Sequence, residues 1–209
     1  MSKLLLFQGD SITDASRNRQ NPDNLGGGYV FLAAASHQCH TPDLGLRILN
    51  RGISGNRTRD LLQRWDADCI DLKPDYLSLF IGINNTWRRY DANDPTPDKV
   101  FEQELRSLLD RTFAETDVTP EHTVLLEPFL LDVPKGAKTY WFEDLTPKQK
   151  IVARAAADFG TRHIPLQRIF DEACARAPAG FWAPDGVHPS PAGHQLIANA
   201  WLDTFASVL

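Results

Sequence analysis

Five short apolar runs recur along the chain, at 3–8, 47–51, 76–81, 123–126 and 163–166, with helically spaced stretches between them. Runs this short, apolar at consecutive rather than alternate positions, suit strands buried on both faces of a parallel sheet. Strands alternating with helices predict an α/β fold: a five-stranded, mostly parallel sheet between two helical layers. The 76–81 run has Ser78 as its one polar interruption and is expected at the centre; the last run is short, carries Pro165 and suits an edge. Helices are expected over 29–39, about 59–72 with Thr58 as cap, 99–113, 145–159 with Pro147 in its first turn, 167–176, and from 190 or 191 onward. At 209 residues the chain, 1–209, is expected to form one domain around a sizeable core.

The first run closes on Gly9-Asp10-Ser11-Ile12. Open α/β sheets place their chemistry at the C-terminal ends of strands. A glycine there lets the chain turn sharply, and the freed N–H groups can face an anion. Alone, the tetrapeptide reads equally well as a polar loop. Near the other end stands Asp185-Gly186-Val187-His188-Pro189-Ser190. An Asp three residues before a His can hold one ring nitrogen and leave the other free to take a serine proton. Arg51-Gly52-Ile53-Ser54-Gly55-Asn56 and Gly82-Ile83-Asn84-Asn85 each follow a strand-like run, so all four stretches can meet at one sheet edge.

At these residues the chain resembles the GDSL esterases of the SGNH hydrolase superfamily, whose motif residues fall in order on Ser11, Gly52, Asn84 and His188. The resemblance implies a flavodoxin-like strand order. It also implies a catalytic triad of Ser11 as nucleophile, His188 as base and then acid, and Asp185 as its orienting partner, with the N–H groups of Ser11 and Gly52 and the Asn84 side chain as oxyanion hole. Two departures stand out: Ile12 in place of the motif's Leu, and Asn85 where the family usually has Asp. The segment Gly82 to Arg89, with Glu127-Pro128-Phe129-Leu130-Leu131, is similar to the branch that contains xylan acetyl esterases. The implied activity is hydrolysis of short acyl esters, acetylated sugars or xylo-oligosaccharides among them. A thioesterase or lysophospholipase of the same superfamily, and a carbohydrate-binding relative without turnover, stay open as alternatives. The α/β-hydrolases share the chain order Ser…Asp…His, but place the serine in a Gly-x-Ser-x-Gly elbow, which Gly52-Ile53-Ser54-Gly55-Asn56 lacks.

Asp10, Trp87, Arg88 and Trp182 are the expected substrate contacts. Trp87, Arg88 and Trp182, with Arg89, Tyr140 and Trp141, are of types that stack on sugar rings and hydrogen-bond hydroxyls; they suit a subunit interface equally, so a homo-oligomer is compatible with the sequence. The net charge of −5 offers no basic stripe, which argues against nucleic acid and anionic membranes. Gly26-Gly27-Gly28 lacks the Lys and Ser/Thr of a phosphate loop, and His37-Gln38-Cys39-His40 lacks a partner pair for a metal. No metal or organic cofactor is expected. Three scattered cysteines, Cys39, Cys69 and Cys174, and an N-terminal apolar run too short for a signal peptide predict a cytoplasmic protein.

Overall fold

The computed structural model describes residues 3–42 and 45–209. In chain order its elements are β1 (Leu4–Gly9), α1 (Ser11–Asp14), α2 (Tyr29–His40), β2 (Arg47–Asn50), α3 (Thr58–Trp65), β3 (Tyr76–Phe80), α4 (Ile83–Asp91), α5 (Asp98–Glu115), β4 (Thr123–Leu126), α6 (Phe142–Phe159), β5 (Arg162–Ile164), α7 (Leu166–Ala173), α8 (Ala179–Trp182) and α9 (Pro191–Phe205). All strand pairs are parallel, in the order β2-β1-β3-β4-β5. This is the flavodoxin-like order that the motifs imply, with the short β5 at an edge.

The two-residue period of a strand divides the core. Leu5 and Phe7 of β1 point to one face, where they join Tyr29 and Val30 of α2 and Ile197, Trp201 and Phe205 of α9. Leu4 and Leu6 point to the other, with Leu61 and Trp65 of α3, Leu105 and Leu108 of α5 and Val152 of α6. Each such fully buried side chain contributes roughly 1.5–3 kcal/mol through removal from water. Ser78, the one polar residue of β3, is satisfied inside this core: its hydroxyl accepts the Trp201 indole N–H at 3.1 Å.

The structure departs from the sequence expectations in five places. The helix expected over 59–72 ends at Trp65 and continues as a wider π-turn, Asp66–Ile70, whose Asp68 carbonyl takes the Gln8 amide at 2.6 Å. Thr58 is the first helical residue and not the cap, and its hydroxyl donates to Glu104. Helix α4 occupies residues for which no helix is expected. Helix α6 begins at Phe142, so Pro147 lies in its second turn. Pro165 falls outside β5 and precedes α7.

Registers Phe7↔Asn50 and Gly9↔Phe80 bring the C-terminal ends of β2, β1 and β3 together. The strand order reverses direction beside β1, so the crevice of this sheet opens over Ser11 and the start of α4.

Candidate active site

Ser11 sits where β1 becomes α1. Asp10 caps that short helix, its Oδ1 accepting the Ile12 N–H at 3.0 Å. Asp10 is 1% exposed, and its other carboxylate oxygen has no hydrogen-bond partner among the described residues. Burial raises its pKa to about 7, against the opposing pull of the Ile12 N–H and the nearby His188. The expectation that Asp10 touches substrate is corrected here: its side chain is buried and leaves almost no surface for a ligand to reach.

The Asp185–His188 turn closes over Ser11 from the C-terminal side. Ser11 Oγ lies 2.9 Å from His188 Nε2, and His188 Nδ1 lies 2.7 Å from Asp185 Oδ2. The second carboxylate oxygen, Oδ1, accepts the backbone N–H groups of Val187 at 2.9 Å and His188 at 2.7 Å. Burial alone would raise the Asp185 pKa, but the His188 ring and these N–H donors outweigh it and hold the carboxyl well below the usual range. His188 moves the other way. Its bond to Asp185 raises its pKa, burial opposes, the charges of Asp185 and Asp10 add to the rise, and Lys138 subtracts from it. The turn is anchored by Leu131 N–H on the Gly186 carbonyl at 2.8 Å and Ser190 N–H on the Trp182 carbonyl at 2.8 Å.

The glycine expected in the oxyanion hole is not placed for it. Gly52 N–H donates to Asn50 Oδ1 at 2.9 Å, while the Asn50 amide donates to the Thr13 and Leu25 carbonyls. Gly52 packs so tightly on α1 that a Cβ would lie 2.3 Å from the Asp14 nitrogen. Its amide is therefore occupied and shielded. Gly55 stands instead in an open turn, Ile53 to Asn56, closed by Asn56 N–H on the Ile53 carbonyl at 3.2 Å. Its φ of 84° is the left-handed conformation that favours glycine, and no atom lies within 4 Å of where a Cβ would be. The turn's other end reaches Asn84, whose Nδ2 donates to the Asn56 carbonyl at 3.1 Å, which leaves the second amide proton available. Ser54 is no rival nucleophile: its hydroxyl donates to Asp14 at 3.1 Å.

Asn85 lies behind this wall, fully buried. Its amide donates to the Thr58 and Thr96 hydroxyls, and its carbonyl oxygen accepts the Thr58 N–H.

The remaining substrate expectations divide. Trp87 is half-buried at the site, its ring centroid 5.7 Å from that of His188 and 5.6 Å from that of Trp141. Arg88 is on the same helix but pairs with Asp91 at 2.7 Å, one turn on, and its guanidinium lies 5.8 Å from the Trp87 ring. Trp182 is corrected to a core residue: it is 8% exposed, and its indole N–H donates to the Ala173 and Ala177 carbonyls. It supports the His188 turn through its own carbonyl. Neither Gly55 nor Lys138, whose ammonium reaches the Asp185 carbonyl, stands out in the sequence.

The sequence profile of the GDSL-like lipase/acylhydrolase family matches residues 7–196. The chain belongs to that family. It is a serine hydrolase of carboxylic esters. An acetylxylan esterase from Geobacillus stearothermophilus is 35% identical over 202 residues, covering 95% of this chain and 91% of that one. Its crystal structure superposes with a TM-score of 0.86, covering 96% of this chain and 93% of that one at 35% identity. Catalytic mutants of that enzyme replace a serine, an aspartate or a histidine by alanine. A GDSL-like lipase from Parabacteroides merdae is 37% identical, covers 97% of this chain and 94% of its own, and gives a TM-score of 0.90. The family resemblance read from four short motifs thus extends over nearly the whole GDSL fold.

Proposed function

We propose that this protein is an acetyl esterase that deacetylates acetylated xylose or xylo-oligosaccharides through an acyl-serine on Ser11. The observation that carries this reading is the unbroken relay from Ser11 Oγ to His188 Nε2 at 2.9 Å and from His188 Nδ1 to Asp185 Oδ2 at 2.7 Å. His188 takes the serine proton as Ser11 Oγ attacks the ester carbonyl, while Asp185 fixes the ring tautomer and balances the imidazolium charge. The oxyanion meets the N–H groups of Ser11 and Gly55 and the Asn84 amide. Collapse of the tetrahedral species breaks the bond to the alcohol oxygen, which leaves with the proton from His188. Water, deprotonated by His188, then attacks the acyl-serine and releases acetate and free Ser11.

Two supports favour a sugar acetate as substrate. The relative whose name includes its substrate is an acetylxylan esterase that aligns over almost the whole chain. The Trp87 and Trp141 rings beside His188 offer flat faces of the kind that pack on sugar rings. The three cysteines are free thiols, which fits the reducing cytoplasm.

The test measures acetate released from peracetylated xylose and acetylated xylo-oligosaccharides, together with kcat/KM over nitrophenyl acetate, butyrate and octanoate. Acetate release and a maximum at the acetyl ester are expected. Each methylene entering a fitting apolar pocket would add about 0.8 kcal/mol, so a lipid or thioester enzyme would climb along the series. A maximum at octanoate with no acetate released contradicts the reading.

A further inference from the structure

His188 is surrounded by more negative than positive charge. Asp185 bonds its ring from the same turn, and Asp10 reaches it from the end of β1. His194 on α9 is a further titratable group close to it. Its Nδ1 accepts the Tyr29 N–H at 3.1 Å, and burial, assisted by the charge of His188, lowers its pKa to about 4, so it contributes no charge of its own. Arg88, on α4, is turned to Asp91. Asp185, and Asp10 to the extent that it is ionised, favour the protonated ring, which cannot accept the serine proton.

Among the described residues, Lys138 is the cation that faces this arrangement. Lys138 lies on the loop between β4 and α6, 47 residues before Asp185, yet its ammonium donates to the Asp185 carbonyl. The same ammonium is 5.6 Å from the Trp87 ring centroid and 5.4 Å from that of Trp141, and Trp87 itself stands 5.7 Å from the His188 ring. Electron-rich faces on two sides hold a cation in place. The loop that presents it is cinched by Asp132, whose carboxylate accepts the N–H groups of Gly136 and Lys138 and the Thr139 hydroxyl at 2.6, 2.9 and 2.8 Å. No carboxylate pairs with Lys138 among the described residues, so its charge is not cancelled locally.

We propose that Lys138 is a positioning residue for ester hydrolysis: its ammonium clamps the Asp185–His188 turn and stands against the negative charge around the imidazole, favouring the proton-accepting ring. The inference rests on His188 acting as the base for Ser11. The charge of Lys138 acts on the ring without touching the substrate's reacting atoms, and its bond to the Asp185 carbonyl fixes where that charge stands. An uncharged residue at this position leaves Asp185, and Asp10 when ionised, unopposed.

The experiment titrates the His188 ring by NMR and measures kcat/KM against pH in the wild type and in Lys138→Met, Lys138→Gln and Lys138→Arg. In both uncharged variants the His188 midpoint and the acidic limb of kcat/KM should rise together by roughly half to one pH unit. Activity should then fall roughly three- to tenfold on the acidic side and recover at alkaline pH, and Lys138→Arg should keep the wild-type midpoint. An unmoved His188 midpoint in the uncharged variants overturns the proposal. So does a loss that is equal at every pH and no smaller in Lys138→Arg than in Lys138→Met, since that marks a purely structural strap. The NMR midpoint remains readable even in an inactive protein. Failure of the underlying assignment shows separately, as full turnover in His188→Ala.

Discussion

Asp185 grips His188 twice, with one carboxylate oxygen 2.7 Å from the ring Nδ1 and the other 2.7 Å from the backbone N–H of the same residue. The double contact fixes both the ring's rotation and the place of its peptide. It also ties the proton affinity of the imidazole to the carboxylate, raising the His188 pKa from its ordinary value of about 6.5. A base works only when unprotonated, so activity should be low in acid and rise through a midpoint above that value. Asp185→Asn removes the negative charge and lets Nδ1 take the wrong tautomer. It should cost on the order of 10²–10⁴ in turnover, the upper end being the cost of the equivalent change in a serine protease. The acidic limb should also move down. A pH–rate profile of the two proteins checks both, and an Asp185→Asn protein with wild-type turnover contradicts the role.

Asn84 is 3% exposed and spends one amide proton on the Asn56 carbonyl, which leaves the other free to donate to an oxyanion. Removing one oxyanion donor typically costs about 10²–10³ in turnover. Asn84→Ala should therefore lower kcat far more than it raises KM on nitrophenyl acetate. A change confined to KM would make Asn84 a ground-state binding residue.

Much of this was legible in the sequence. The strands were, because runs buried on both faces are apolar at nearly every position; their order came from the family resemblance and not from the runs themselves. The meeting of Ser11, Asp185 and His188 was expected only once the motif stretches matched a family in order, because the Ser11 tetrapeptide alone reads equally well as a polar loop; the structure brings the three within hydrogen-bond distance. The glycine was not legible. Gly52 and Gly55 both follow β2, and the choice between them rests on the Asn50 side chain capturing the Gly52 N–H, a contact no local pattern announces. Helix α4 was hidden because Asn84-Asn85-Thr86 has the composition of a turn; long-range bonds from Asn85 to Thr58 and Thr96 hold it in register. Trp182 looked like a sugar platform because an aromatic beside the catalytic turn reads the same whether it faces solvent or the core.

Asn85 stands where the family usually has Asp, and its surroundings favour the amide. The two N–H donors satisfy two threonine hydroxyls, and the Thr58 hydroxyl proton is already given to Glu104. Asn85→Asp would turn a carboxylate oxygen toward the Thr58 lone pairs in a fully buried site. The loss should be about 1–3 kcal/mol, the usual cost of a buried group left without a partner. Urea unfolding of the two proteins measures it; an unchanged midpoint would show that the threonines reorient freely.

The central claim is that Ser11 carries the acyl group, and a serine-directed fluorophosphonate tests it most directly. Peptide mapping by mass spectrometry after stoichiometric inactivation should find one adduct, on Ser11, and Ser11→Ala should be folded, unlabelled and almost without esterase activity. An adduct on Ser54, with activity surviving in Ser11→Ala, would contradict the account.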